Sequence, residues 1–482
     1  MTRPLARGAA VSACAAVLLI APSAVSAAPE VAYRLSYPAP GAERVDISVA
    51  WDTPIAAATA FIMPRAIPMG YGEQRYDAFV VDVRAVTANE VLAAARAEGP
   101  RWTLPVGTRG VRYQVDVRAM EQAIVGASDA SRIREAYLGV LGYSIFGFVD
   151  GFEAQPVTLR VDGPAGWPIF STLSPRAPMT AVPIETRAPN FYALADGQIV
   201  MGPRAVVRKV DGTPVPTFHV SYSEGEVDLD RTARLIATAM SRVADYFGSL
   251  PFPHYTVHQE LLRSISPRHE YGMSMEHLES STYYLEASAA LTSSSTAQDE
   301  RRVLYNFAHH IAHAWLPKRL AGEGYFPFQW ELAPLLDTVW FAEGFGQYAA
   351  IMALAPAMPD PAAYRTAMLD LRFRSNVKET PAFLGKMDLV TLSRVASTRY
   401  AEDFRTGRLV FSRGGLMAAA IDDRIREVTQ GEKSLRDGLR FLMAWSAREQ
   451  RGFRVEELAP LLQQATGVDV RSIVDAWLRP LP

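Results

Sequence analysis

Three histidines, His309, His310 and His313, stand within five consecutive residues, and Glu343 follows thirty residues after His313 in Trp-Phe-Ala-Glu-Gly-Phe. On a helix, residues i and i+4 stack on one face about 6 Å apart along the axis, so His309 and His313 can share one metal ion. A Glu from a second helix completes a three-ligand set with one position open to water, the arrangement of catalytic zinc sites. Metal-assisted hydrolysis also needs a base, which an H-E-x-x-H helix supplies from its second position. Here that position is His310. A neutral imidazole can take a proton, yet a nearby dication opposes imidazolium formation where it would favour a carboxylate. His310 is therefore expected to be a poor base. From spacing alone, a metal-free histidine cluster in the core or on the surface stays open.

These side chains must be placed by helices. The histidine helix is expected to start at Ser293-Ser294-Ser295-Thr296, where Thr296 and Asp299 have the spacing of a capping pair, and to end before Pro317, with Leu304, Phe307 and Ile311 on its buried face. An earlier helix, capped by Asp228 or Asp230, carries Leu235, Ile236, Ala239, Val243 and Phe247 on one side. Three amphipathic stretches follow at 435–445, 455–464 and 470–478, the second closed by Gly467. From Val31 to about Gly202 the pattern is different. Tyr33, Leu35 and Tyr37, then Val45, Ile47 and Val49, later Val157, Leu159 and Val161 alternate with polar residues, broken by turns at 38–41 and 164–168. This predicts an antiparallel β domain. Within it, Thr87 and Glu90 have capping-box spacing and predict a short helix over 88–97.

A chain of 482 residues with 49% hydrophobic and 21% charged residues has room for two or three domains with cores of their own. Arg3 and Arg7, the apolar run Ala9–Ile20 and the small residues through Ala28 predict a secretory signal cleaved near Ala27. The single cysteine, Cys14, lies in that run, so no disulfide framework is expected; an exported protein of this kind suits a bacterial periplasm or the exterior. No second membrane segment is expected. Loss of Arg3 and Arg7 takes the net charge from -2 to -4, too mild to imply nucleic acid.

Further motifs carry a resemblance. His309, His313, Trp315, Lys318 and Arg319 follow a His-Glu-x-x-His, Thr-Trp-x-x-Lys-Arg pattern, and Glu343 stands in a Trp-x-x-Glu-Gly segment. Ala-Tyr-Arg-Leu-Ser-Tyr at 32–37, Gly-Trp-Pro-Ile-Phe-Ser-Thr-Leu at 166–173 and Ala-Trp-Leu-Arg at 476–479 extend the match over almost the whole chain after the signal. The sequence thus resembles the glycyl aminopeptidase family of gluzincin zinc metallopeptidases. The resemblance implies Zn²⁺ held by His309, His313 and Glu343. Met275-Glu276-His277-Leu278-Glu279-Ser280 is similar to the family's Gly-Gly-Leu-Glu-His-x-x-Ser strand, implying that Glu276 binds the free α-amino group of a peptide and that His277 lies in the same substrate-binding segment. Ser274 stands where the family prefers Gly.

Two departures bear on activity. His310 replaces the family's general-base Glu, and Val410-Phe411-Ser412-Arg413-Gly414 replaces a Tyr-Tyr-x-Lys-Gly segment whose phenol donates to the oxyanion. Losing such groups costs roughly 10²–10⁴ and 10²–10³ in rate, not necessarily additively. Tyr305, just before the ligands on the histidine helix, can aim a hydroxyl into the cleft, although no spacing requires it, whereas Tyr271, Tyr283 and Tyr284 flank the Glu276 strand and are expected to pack. Many family members continue into a PDZ-type module, which is not expected after Arg479-Pro480-Leu481-Pro482. The expected chain is α+β and multidomain: a signal peptide at 1–27, an antiparallel β domain at 28–203, a thermolysin-like gluzincin domain at 204–350 and a helical region at 351–482. Its expected partners are peptides with a free N-terminus. Slow hydrolysis, peptide binding without turnover and a metal-free scaffold remain the alternatives.

Overall fold

A computed structural model describes residues 30–481 apart from 69, 127, 128 and 401; the expected signal segment and Cys14 lie outside the described residues. The N-terminal alternation produces strands as anticipated, with Val31, Tyr33 and Leu35 buried while Ala32 and Arg34 face solvent. Seven strands form one sheet in the order Ile184–Ala188, Val157–Asp162, Val31–Ser36, Arg44–Ala50, Gly110–Asp116, Val80–Val86, Val91–Ala93. All its pairings are antiparallel except that of Val31–Ser36 with Val157–Asp162, which is parallel. Two four-stranded sheets complete this domain.

The helix expected over 88–97 is absent, replaced by the short strands Val91–Ala93 and Ala95–Arg96. Thr87 and Glu90 do interact, but as a tight turn: the Thr87 hydroxyl accepts from the Glu90 and Asn89 amides, and the Thr87 amide donates to the Glu90 carbonyl. A hydroxyl that caps a helix serves a turn equally well. Pairing with Val80–Val86 decides between them.

The central domain is built on a five-stranded sheet ordered Val206–Val210, Thr217–Ser223, Tyr255–Leu262, Ser280–Glu286, Gly272–Glu276. Its three inner strands run parallel, and all eight residues of Tyr255–Leu262 are buried, as a strand covered on both faces requires. Gly272–Glu276 pairs antiparallel at the edge. Between the parallel strands runs helix Leu229–Phe247, capped by Asp228, whose carboxylate accepts from the Arg231 amide. Helix Ala297–Ala312 carries the full capping box, with Thr296 and Asp299 each accepting from the other's amide. Helices from Pro361 to Leu478 form the C-terminal region, including Leu435–Glu449, Leu458–Thr466 with Gly467 at φ 79°, and Arg471–Leu478. No helix among the described residues is long and apolar enough to cross a membrane.

A buried ion pair joins the first two domains. Arg132 Nη1 donates to Glu260 Oε2 at 2.6 Å, with both side chains almost fully buried, and the guanidinium lies 4.1 Å over the Tyr284 ring. Tyr137 donates to the other Glu260 oxygen at 2.5 Å. Removing one partner of such a pair leaves an uncompensated charge in a medium that solvates it poorly. Glu260→Ala is expected to destabilise the protein by about 3–5 kcal/mol, read as a shift of the urea midpoint; an unchanged midpoint would contradict this account.

Candidate metal centre and cleft

Local sequence places the two histidines. The last turn of helix Ala297–Ala312 presents His309, and His313 closes it as the C-cap. Trp315, just beyond, is fully buried, stacks on Phe247 at 4.9 Å and donates to the Ser249 carbonyl, which pins the end of the helix to the domain core. His313 Nδ1 lies 2.6 Å from the Leu316 carbonyl. That contact places a proton on Nδ1 and turns Nε2 towards His309, the way metal-binding histidines are oriented by their outer partners.

Glu343 comes from Trp340–Phe345, a π-helical turn. Such turns widen the backbone locally and concentrate at functional sites. This one is pressed against helix Phe404–Val428 so closely that a Cβ on Gly344 would lie 2.4 Å from the Gly414 carbonyl carbon, and one on Gly414 would lie 2.0 Å from the Trp340 oxygen. Both positions need glycine for this approach, which sets the depth of Glu343.

The three groups converge. His309 Nε2 and His313 Nε2 are 2.8 Å apart, and Glu343 Oε2 lies 3.5 Å from the first and 3.6 Å from the second. Ligand atoms of a tetrahedral zinc at about 2.0–2.1 Å stand roughly 3.3 Å from one another. Two imidazole nitrogens and a carboxylate oxygen at such spacing fit a divalent cation. Glu343 Oε1 faces the other way and accepts from the Tyr71 hydroxyl at 3.1 Å.

Glu276 joins from the edge strand. One of its oxygens and donor atoms of His313 and Glu343 all lie within 4.8 Å of one another, and ring nitrogens of His309, His310 and His313 do likewise. His310 Nδ1 is 3.7 Å from Glu276 Oε2, ion-pair range, and has no hydrogen-bond partner. Position 310 thus lies in the same cluster as the candidate ligands. Electrostatics match the arrangement. Burial would raise the Glu276 carboxyl, but the His313 and His310 rings outweigh it and hold it at about 2. Glu343 is likewise lowered, burial being overcome by His313 and His309. His313 is raised to about 9, burial being outweighed by Glu276 and Glu343, while burial and His313 push His309 down to about 3. Burial lowers His310 as well, against the pull of Glu276. Two buried carboxylates thus favour positive charge at one point, which a dication would supply.

His277, expected in the substrate-binding segment, has its side chain in the interior. Its Nδ1 is 3.1 Å from Asp196 and its Nε2 3.1 Å from the Thr282 hydroxyl, in the interior, so neither nitrogen is left for a ligand. Asp196 is a hub: it also accepts from the Leu278 amide at 2.5 Å and from Lys318 at 3.2 Å, and Lys318 donates onward to the Pro68 carbonyl. Burial alone would raise Asp196, but Lys318 and His277 keep it below the usual carboxylate range. Arg413 is structural as well, donating to the Met387, Trp477 and Arg479 carbonyls and so fastening the last helix. Phe411 packs among aromatic rings, its own 6.2 Å from that of Tyr71 and 5.5 Å from that of Tyr400. Tyr283 and Tyr284 are fully buried, and Tyr305 stacks on His309. Tyr71 escaped the sequence reading, since it comes from the other domain and no spacing marks it.

Residues 32–203 match the model of the Peptidase M61 N-terminal domain. No curated protein matches the chain. Among solved structures, an aminopeptidase N family protein from Idiomarina loihiensis superposes with TM-score 0.82 at 17% identity, over 94% of this chain and 76% of its own. An M1 zinc metallopeptidase variant from Deinococcus radiodurans bound to a Tyr-Ser-Ala substrate superposes with TM-score 0.52 at 17% identity, over 95% of both chains. The wild-type form of that enzyme gives TM-score 0.50 at 17% identity, over 95% of this chain and 94% of its own. A β domain matching the Peptidase M61 N-terminal domain, a central α/β domain and a helical region together make an α+β fold that resembles those of M1 zinc metallopeptidases.

Proposed function

We propose that the protein is an exported relative of the glycyl aminopeptidases that receives the N-terminus of a peptide at a Zn²⁺ centre of His309, His313 and Glu343, with hydrolysis slow or lost. The observation that carries this reading is the placing of Glu276 within 4.8 Å of donor atoms of His313 and Glu343. In an amino acid the amine and carbonyl carbon are separated by two bonds of about 1.5 Å each. A carboxylate so near the metal ligands leaves room for one residue, its ammonium on Glu276 and its carbonyl at the metal. This geometry suits a free amino terminus and not an internal peptide bond. The edge strand Gly272–Glu276 leaves one side of its backbone unpaired, ready to add the peptide as a further strand.

Bound there, zinc would polarise the first carbonyl and lower the pKa of water. The remaining work falls to the chain. His310 faces the centre but, flanked by His309 and His313 and buried, it is held neutral and is weakly basic. Phe411 brings a ring without a hydroxyl. Tyr71 is engaged with Glu343, which orients that ligand. The periplasm or the exterior is the proposed location, from the signal-like segment at 1–27.

Calorimetric titration with Ala-Ala-Ala tests the anchor. Glu276→Gln is expected to weaken binding roughly 10- to 100-fold, the worth of one charged hydrogen bond, and acetylation of the peptide amine should do the same. Equal affinity of Glu276→Gln and wild type would reject the assignment.

A further inference from the structure

We propose that a cavity beside the upstream turns of the histidine helix is a carboxylate pocket, in which Arg372 receives the C-terminal carboxylate of a di- or tripeptide whose amine sits on Glu276. The inference rests on the peptide-binding reading above and adds the length and end chemistry of the ligand. The cavity measures about 240 Å³. Its polar wall is Arg302, Asn306, Gln259 and Arg372, and Phe307 and Leu285 supply part of the apolar wall.

Arg372 is unusual in its surroundings. Its neighbours on the same helical stretch are neutralised, Arg374 by Asp370 at 2.6 Å and Arg365 by Asp423 at 2.8 Å. Among the described residues no carboxylate pairs with Arg372, and its buried Nε has no hydrogen-bond partner. The guanidinium is held instead by stacking, 4.3 Å over the Tyr305 ring. It belongs to a π-helical turn, Asp370–Arg374, the second such turn bordering the cleft. A flat guanidinium with free donors matches a carboxylate in two-point contact. Arg302 adds a second positive charge at the rim, its side chain 57% exposed and only loosely paired with Asp299 at 3.8 Å.

Two independent distances set the ligand length. The Tyr305 ring lies 4.3 Å under the Arg372 guanidinium and 6.2 Å from the His309 ring, which puts the guanidinium no farther from that ring than about three extended residues span. Along the edge strand, Asn306 of the cavity wall meets Ser274 at 3.5 Å, two residues from Glu276. A strand advances about 3.3 Å per residue, so a peptide that starts at Glu276 and follows this edge reaches the cavity with its second or third residue.

The test is calorimetric and needs no turnover. Ala-Ala-Ala, its C-terminal amide and its N-acetyl form are titrated into zinc-equilibrated wild type, Arg372→Gln and Arg372→Lys. The free acid is expected to bind wild type roughly 10- to 100-fold more tightly than the amide. That preference should vanish in Arg372→Gln and survive in part in Arg372→Lys. Acid and amide binding wild type equally, with the N-acetyl form still binding more weakly than either, would overturn the carboxylate pocket and leave the amine anchor standing. A preference for the acid that persists unchanged in Arg372→Gln would overturn the role of Arg372. Loss of neither peptide on acetylation, or no binding by any of them, would overturn the anchor and the pocket together.

Discussion

Protein equilibrated with zinc and desalted is expected to carry one zinc per chain, and His309→Ala, His313→Ala or Glu343→Gln to lose most of it at the same free zinc. Three converging donors are the minimum that holds the ion with one position open, so removal of any one leaves a two-ligand site. The loss should also be visible as stability. At a free zinc concentration about a thousandfold above the dissociation constant, binding to the folded form contributes about 4 kcal/mol, and chelation should remove it. Elemental analysis and thermal melts with and without chelator measure both. Full zinc occupancy in all three variants would dismiss the assignment, because the donor atoms 2.8, 3.5 and 3.6 Å apart would then have nothing to do with the ion.

The second large effect is a gain. His310→Glu combined with Phe411→Tyr is expected to raise release of alanine from Ala-Ala-Ala at least about 10²-fold over wild type, in a chelator-sensitive way, since each missing group is worth 10²–10⁴ or 10²–10³. The structure favours the first change. The present imidazole at 310 is 3.7 Å from Glu276, so a carboxylate introduced there has an acidic neighbour that raises its pKa towards the range a base needs near neutrality. The single variants should gain less, and the gains need not multiply. Initial rates with zinc-loaded protein decide the matter. A double variant that holds zinc and Ala-Ala-Ala as tightly as wild type yet releases no alanine would show that these two positions are not what limits the chemistry.

What could be read from sequence is what local interactions determine. Thr296 and Asp299 fix where the histidine helix begins because a capping box is settled within four residues, and Asp228 caps its helix for the same reason. The β-domain pattern was legible from side-chain alternation. The same rule separates Glu276 from His277: they are adjacent in sequence, but successive residues of an extended chain point to opposite faces, so Glu276 turns towards His313 and Glu343 while His277 turns to Asp196. Thr87 misled because one hydrogen-bond pattern serves turn and helix alike. Tyr71 and Asp196 were invisible as organising residues, since each acquires its role from partners far away along the chain, Glu343 for Tyr71 and Lys318 for Asp196. Arg413 illustrates the converse, a motif position whose charge is spent on carbonyls of the final helix.

One bridge between domains has an implication for biogenesis. The segment around Tyr71 belongs to the β domain, yet Tyr71 grips Glu343, the Gly72 amide donates to the Ser397 carbonyl, and Pro68 accepts from Lys318. Glu343 is therefore locked into orientation only after three distant parts of the polypeptide have docked. At the proposed centre, ion capture would then come late in maturation, and a nascent or nicked chain would be a poor scavenger of zinc.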